Sequence, residues 1–227
     1  MKKRSKRYRE DREKIESLGK LDITQAVRVL KQCNGAKFDE TVELTVKLGI
    51  DPRKSDQIVR GSFNLPHGIG KERTVVVFAE GDKAEEAKSA GAAEVGGEDL
   101  AARIQKGWTD FDVAIATPSM MRYVGKLGKI LGPAGKMPAP KSGTVTEKVK
   151  QAVTEFRAGK VEYRNDKGGN LHIPVGKRSF EDNALIENIE ALLDHIKGSR
   201  PATSKGAFLQ RVSICSTMSP SVELETK

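Results

Sequence analysis

The chain has 227 residues, 40 Lys and Arg against 31 Asp and Glu, and a formal net charge of +9. With 37% hydrophobic and 5% aromatic residues it suits one large or two small domains with a modest core, and no apolar run nears the roughly 20 residues needed to cross a bilayer. The cation excess fits a polyanionic partner, nucleic acid or an acidic membrane face, or serves solubility alone.

The first ten residues, MKKRSKRYRE, hold six cations with no apolar stretch behind them, which excludes a secretory signal and predicts a flexible basic arm. In residues 22–33, Ile23, Ala26, Val27 and Leu30 recur at helical spacing after Asp22, a candidate N-cap. ETVELTVKL then alternates strictly. Val42, Leu44, Val46 and Leu48 take one face, and Thr41, Glu43, Thr45 and Lys47 take a wet one. LPHGIGK reads as a break.

From Thr74 the texture changes. TVVVFA and FDVAIATP are continuously apolar, as strands buried on both faces are. With the short AEVGG they alternate with helices predicted at DKAEEAKSA, EDLAARIQK and SMMRYVGKLGKI, which implies a small parallel sheet covered on both sides. TEKVKQAVTEFRAG reads as a helix stopped by glycine. KVEYRND and NLHIPVG, joined by Lys167-Gly168-Gly169, read as a hairpin with an exposed basic turn. Residues 182–197 put Leu185, Ile186, Ile189, Leu192, Leu193 and Ile196 on one helical stripe, and AFLQRVSICSTM with SVELE alternates as a closing strand pair. The alternating strands lie at the two chain ends and the doubly buried ones lie between them. This predicts a middle domain inserted into one made from both ends.

Little supports catalysis. The loop LGKILGPAGKMPAPKSGTV (127–145) resembles a phosphate-cradling loop only superficially. Gly135-Lys136 is followed by Met137, Ile130 stands where the first glycine is needed, and Pro133, Pro138 and Pro140 offer no N–H. Gly68-Ile69-Gly70 precedes a strand instead of following one, and Arg73 replaces the third glycine of a dinucleotide fingerprint. Cys33 and Cys215 are far apart and read as reduced cytosolic thiols. His67, His172 and His195 form no metal or nucleophile spacing. Binding is better supported. The wet strand faces carry Thr41, Glu43, Thr45, Lys47, Arg164 and Ser216, residue types suited to ribose hydroxyls and phosphates and equally to an ordinary solvated face. Phe38, beside Lys37, fits two roles, a platform for a stacked base or the first core residue of the strand.

Four blocks are more specific: GAKFDETVELTVKLGIDPRKSDQIVRGSFNLPHGIGK (35–71), FDVAIATPSMM (111–121), the loop at 127–145, and GKVEYRNDKGG (159–169). Together, and in order, they resemble the bacterial ribosomal protein L-one family, from about Asp22 to Val222. The resemblance implies an α/β fold of two domains. One is a discontinuous α+β RNA-binding domain from residues 1–68 and 160–227, the other an inserted Rossmann-like three-layer domain at 69–159. It also implies a non-enzymatic, cytoplasmic protein of the ribosome at the mobile side stalk of the large subunit. Its partners would be the stalk stem-loop of large-subunit rRNA, deacylated tRNA leaving the exit site, and its own operon mRNA, which it represses. No cofactor, metal, membrane or obligate protein oligomer is implied. RNA contacts are expected at Lys37, Phe38, Thr41, Thr217 and Met218, with Arg164 and Lys167 on the basic hairpin. Glu43, Arg53, Arg60, His172 and Ser216 complete the set. Ala134, Lys136 and Ala139 stand where the family has Arg, Leu and Asn, and Ser219 stands where it has glycine.

Overall fold

The computed structural model describes residues 4–225. It divides into two compact units. One is built from the chain up to Gly70 together with the chain from Val161 onward, and the other is Lys71–Lys160.

The first half of the two-segment unit holds α1 (Lys6–Leu18), α2 (Ile23–Gln32), β1 (Thr41–Leu48) and β2 (Arg60–Phe63). The middle unit runs β3 (Val75–Phe78), α3 (Asp82–Ser89), β4 (Glu94–Gly96), α4 (Glu98–Gln105), β5 (Val113–Ala116), α5 (Met121–Val124), α6 (Gly128–Leu131) and α7 (Val149–Ala158). The chain then returns with β6 (Val161–Arg164), β7 (Asn170–Lys177), α8 (Asp182–Gly198), β8 (Leu209–Ser216) and β9 (Val222–Leu224).

In the two-segment unit four antiparallel strands lie in the order β7-β1-β8-β9. The alternation in β1 does what it predicts. Val42, Leu44, Val46 and Leu48 are buried against the stripes of α2 (Ala26, Val27, Leu30) and α8 (Leu185, Ile189, Leu192, Ile196), while Thr41, Glu43, Thr45 and Lys47 face the other way. Pro174 has no N–H to give a ladder. It sits on the edge strand β7, opposite Glu43, at the bulge where β1 slips register between Val42 and Glu43.

Three expectations are corrected here. The basic arm is not a flexible strand of cations beyond residue 5. The Ser5 hydroxyl caps the Tyr8 N–H, Arg12 pairs with Glu16 one turn on, and α1 is anchored by buried Ile15 and Asp11. The Asp11 carboxylate accepts both the backbone N–H and the side-chain amide of Asn34. Residues 1–3 of that arm lie outside the described residues. The hairpin at 160–176 does not exist as a strand pair. Its turn closes through Asp166 and Asn170, but β6 pairs with β2, a strand the sequence reading passed over, while β7 pairs with β1. Asn165 explains the divergence, because it exchanges two hydrogen bonds with the Val59 backbone and carries β6 into a separate two-stranded sheet. The helix read at SMMRYVGKLGKI is a run of alternating α and tighter 3-10 turns from Pro118 to Leu131, interrupted at Gly125 and Gly128. Asp22 does stand at the N-cap of α2, as its place in the sequence predicts, although its side chain makes no capping bond.

The middle unit is a three-layer sandwich around a parallel sheet of order β4-β3-β5. Every residue of β3 and β5 is buried because both faces are covered. Val76, Phe78 and Ala114 face α4 with Val124, Leu127 and Leu131, while Val75, Val77 and Ile115 face α3 and α7. Gly159, at φ 109°, ends α7 in the left-handed conformation that only glycine adopts cheaply.

Candidate nucleic-acid interface

The sheet's inner face runs apolar along β1 and β8 until its last step. Val42 pairs with Ser216, and one step further out Glu40 continues the inward parity of Val42 and Leu44. Glu40 is 1% exposed. A carboxylate there must collect donors, and it does so from two loops. It accepts from the Ala36 N–H, the Ser216 hydroxyl and the Met218 N–H (3.2 Å), and the Arg178 guanidinium lies 3.6 Å away. Burial pushes the Glu40 carboxyl up. The bonds from Ser216, Ala36 and Met218 and the charge of Arg178 more than offset it, and the group stays below its ordinary range.

Glu40 and Arg178 therefore fix the loop before β1 and the turn after β8. Arg178 also donates to the carbonyls of Lys31 (2.8 Å) and Cys33 at the end of α2. Asp39 accepts from the Ser179 hydroxyl at 2.8 Å, and the Lys177 ammonium donates to the Thr41 hydroxyl at 2.8 Å. Thr217 bridges back, its hydroxyl accepting from the Thr41 N–H at 3.1 Å. The Ser219 hydroxyl accepts the Ser216 N–H at 2.9 Å and so closes the turn, with no positive φ at any non-glycine among the described residues. The departure at 219 is thus accommodated without backbone strain.

On this framework Phe38 is 55% and Met218 48% exposed, with Lys37 and Thr217 exposed beside them. Of the two roles open to Phe38, the core one is excluded. Ser216 differs from the rest of the set, since it is buried and its hydroxyl is held by Glu40.

The other predicted residues do not join this cluster. Glu43 and His172 meet one another further along the wet face, with His172 Nδ1 3.0 Å from the Glu43 carboxylate. Lys167 is exposed in the turn that reaches the opposite end of β1, where the Lys47 ammonium donates to the Gly168 carbonyl. Arg60 and Arg164 face each other in register on the separate β2–β6 pair. Arg60 is half-buried against Glu162 at 2.7 Å, and Arg164 is exposed. Arg53 is exposed in the turn that follows Asp51. Beside the Lys47 end, α1 borders a cleft of about 620 Å³ lined by Tyr8, Arg12, Lys20, Thr45, Lys47 and Arg211.

The other two histidines and both cysteines are engaged within the fold. His195 packs on Phe63 and meets the Tyr163 hydroxyl at 2.9 Å, and burial lowers its affinity for a proton. His67 pairs with Glu187 at 2.6 Å. Burial pushes both thiols up, away from the nucleophilic thiolate. In the loop at 127–145, Lys136 donates to the Thr109 carbonyl and covers the Phe111 ring, and the Ser142 hydroxyl bonds within the loop. The residue that replaces the family's Leu is therefore engaged in its own domain.

A sheet with a polar face, interrupted by an inserted parallel α/β unit, is the architecture expected above of a ribosomal protein. Sequence comparison agrees. The family described as Ribosomal protein L1p/L10e matches residues 29–220, and the chain belongs to it. The protein named Large ribosomal subunit protein uL1 of Kosmotoga olearia is 54% identical over 225 residues, 99% of this chain and 97% of that one. The family is structural, not enzymatic.

Proposed function

We propose that the chain is a structural constituent of the large ribosomal subunit in the cytoplasm and binds large-subunit rRNA at the mobile side stalk. The two-segment unit acts as its RNA-binding domain. The observation that carries the reading is the pair of exposed apolar side chains, Phe38 and Met218, on loops hydrogen-bonded to one buried carboxylate beside Lys37, Thr41 and Thr217. Phe38 stacks on an unpaired base, Lys37 meets a phosphate, and the threonine hydroxyls meet ribose hydroxyls. Because Glu40 and Arg178 already fix both loops, little ordering remains to oppose binding. Ser216 acts from beneath by holding Glu40. Arg53, Arg60, Arg164, Lys167, Glu43 and His172 serve outlying stretches of the same RNA.

The finer assignments are release of deacylated tRNA from the exit site and repression of the chain's own operon mRNA through a similar stem-loop. Their support is the resemblance of the sequence blocks to the family.

Replacing Thr217 by Val with Met218 by Ala tests the contact set. Both are exposed, and the one bond given up, from the Thr41 N–H to the Thr217 hydroxyl, lies at the surface, so the fold is expected to hold at a cost of about 1 kcal/mol or less, checked by urea unfolding. Two contacts of about 1 kcal/mol each predict a roughly 30-fold weaker hold on the stalk stem-loop. Unchanged affinity rejects this contact set.

A further inference from the structure

Between Asp112 and Glu147 the chain carries no acidic residue and five basic ones, Arg122, Lys126, Lys129, Lys136 and Lys141. Lys136 is used internally. The helical run from Pro118 to Leu131 buries Met120, Val124, Leu127 and Leu131, residues four, three and four apart. Offset by two positions, Arg122, Lys126 and Lys129 repeat the four-and-three spacing and are all exposed. The burial of one stripe forces the other outward, giving a row about 10 Å long at helical rise.

None of these three cations has a carboxylate within 4 Å among the described residues, whereas five lysine or arginine ion pairs among them lie at 2.6 or 2.7 Å. Arg122 and Lys126 instead lie over the half-buried ring of Tyr123, at 4.6 and 5.8 Å from its centroid. An aromatic face holds a cation in place without cancelling its charge, so the row keeps its field.

We propose that Arg122, Lys126 and Lys129 form a second RNA-docking row on the middle unit, which takes backbone phosphates without reading sequence. The proposal rests on the reading of the chain as an RNA-binding protein and adds a surface outside the Phe38–Met218 cluster. Phosphate, not base, is the ligand, because the deep and narrow major groove of duplex RNA keeps side chains from the guanine edges that Arg and Lys otherwise read, and leaves the backbone phosphates to a row of cations.

The test uses the full chain and a double-stranded RNA of arbitrary sequence, titrated across a salt series. Two variants are compared: Arg122→Gln with Lys126→Gln and Lys129→Gln, and a control with Lys88→Gln, Lys106→Gln and Lys150→Gln, all exposed and of equal charge change. Neutralising the row is expected to reduce the log–log salt slope by about 2 to 3, and the control is expected to leave it nearly unchanged. Equal effects of both triples, or none from either, overturn the proposal. Lysine acetylation of the unmodified chain gives a second reading independent of variant folding. Bound RNA is expected to shield Lys126 and Lys129 and leave Lys88 and Lys106 reactive, and reactive Lys126 and Lys129 reject the row. Failure of the parent reading looks different, because the stalk stem-loop and a scrambled RNA then bind equally whatever the row does.

Discussion

Glu40→Gln is the sharpest perturbation of the proposed interface, because the change is isosteric and strikes the group on which both loops converge. The carboxylate accepts three hydrogen bonds, from Ala36, Ser216 and Met218, and faces Arg178 at 3.6 Å. Glutamine leaves one acceptor oxygen and turns an NH₂ donor toward the remaining donors. It also leaves a guanidinium, whose side chain is 19% exposed, without its countercharge. Removing one partner of a buried pair costs about 3–5 kcal/mol, and the residual exposure of Arg178 and the oxygen that remains place this case near 3 kcal/mol. Urea unfolding monitored by circular dichroism measures that figure, and RNA titration measures the loss of loop order. The pH dependence follows in sign. The folded-state carboxyl lies below its ordinary value, so it contributes stability that is fully present above the unfolded-state value, about 4.3, and is lost as pH falls through the folded one. The gap between parent and Glu40→Gln therefore narrows on acidification below about pH 4. A variant as stable as its parent at neutral pH, with undiminished RNA affinity, refutes the reasoning.

Phe38→Ala removes an exposed ring and is expected to leave the unfolding midpoint in place while weakening stem-loop binding by about 1–3 kcal/mol, measured by titration. Ile15→Ala is expected to cost about 2–3 kcal/mol and to fray α1, read as faster amide exchange over residues 6–18. Asn188 is fully buried, accepts the His67 N–H and donates to the Gly68 and Val175 carbonyls, so Asn188→Leu strands three backbone groups and is expected to cost 3 kcal/mol or more, at about 1–3 per group, by urea unfolding.

The sequence reads best where burial imposes a period. The parity of Val42 to Leu48, the unbroken VVVF and VAIA, and the stripe from Leu185 to Ile196 each specify an element and its covered face. It reads poorly where one long-range bond decides. Strand β2 is only RGSF, and nothing local says that Asn165 will draw β6 to it. Helix α1 hides its two anchors, Asp11 and Ile15, in a run of charge. Of the candidate interface, the wet face of β1 and the aromatic beside a lysine point to Thr41, Lys37 and Phe38, and the family resemblance adds Thr217 and Met218, but neither reading reaches Glu40 and Arg178, which hold them. A usable signal existed, since Glu40 is a charge at the inward parity of β1 and Ser216 a hydroxyl at the inward parity of β8.

The central claim is that the chain reads the shape of a folded RNA and does not merely coat polyanions. The direct measurement is binding to the large-subunit stalk stem-loop and to a scrambled RNA of equal length, each at low and at roughly physiological salt. The account predicts that the scrambled RNA is lost as salt rises, with a slope of about −0.7 per neutralised phosphate, while the stem-loop stays bound. If the two RNAs are released together, charge alone accounts for binding and the claim is contradicted.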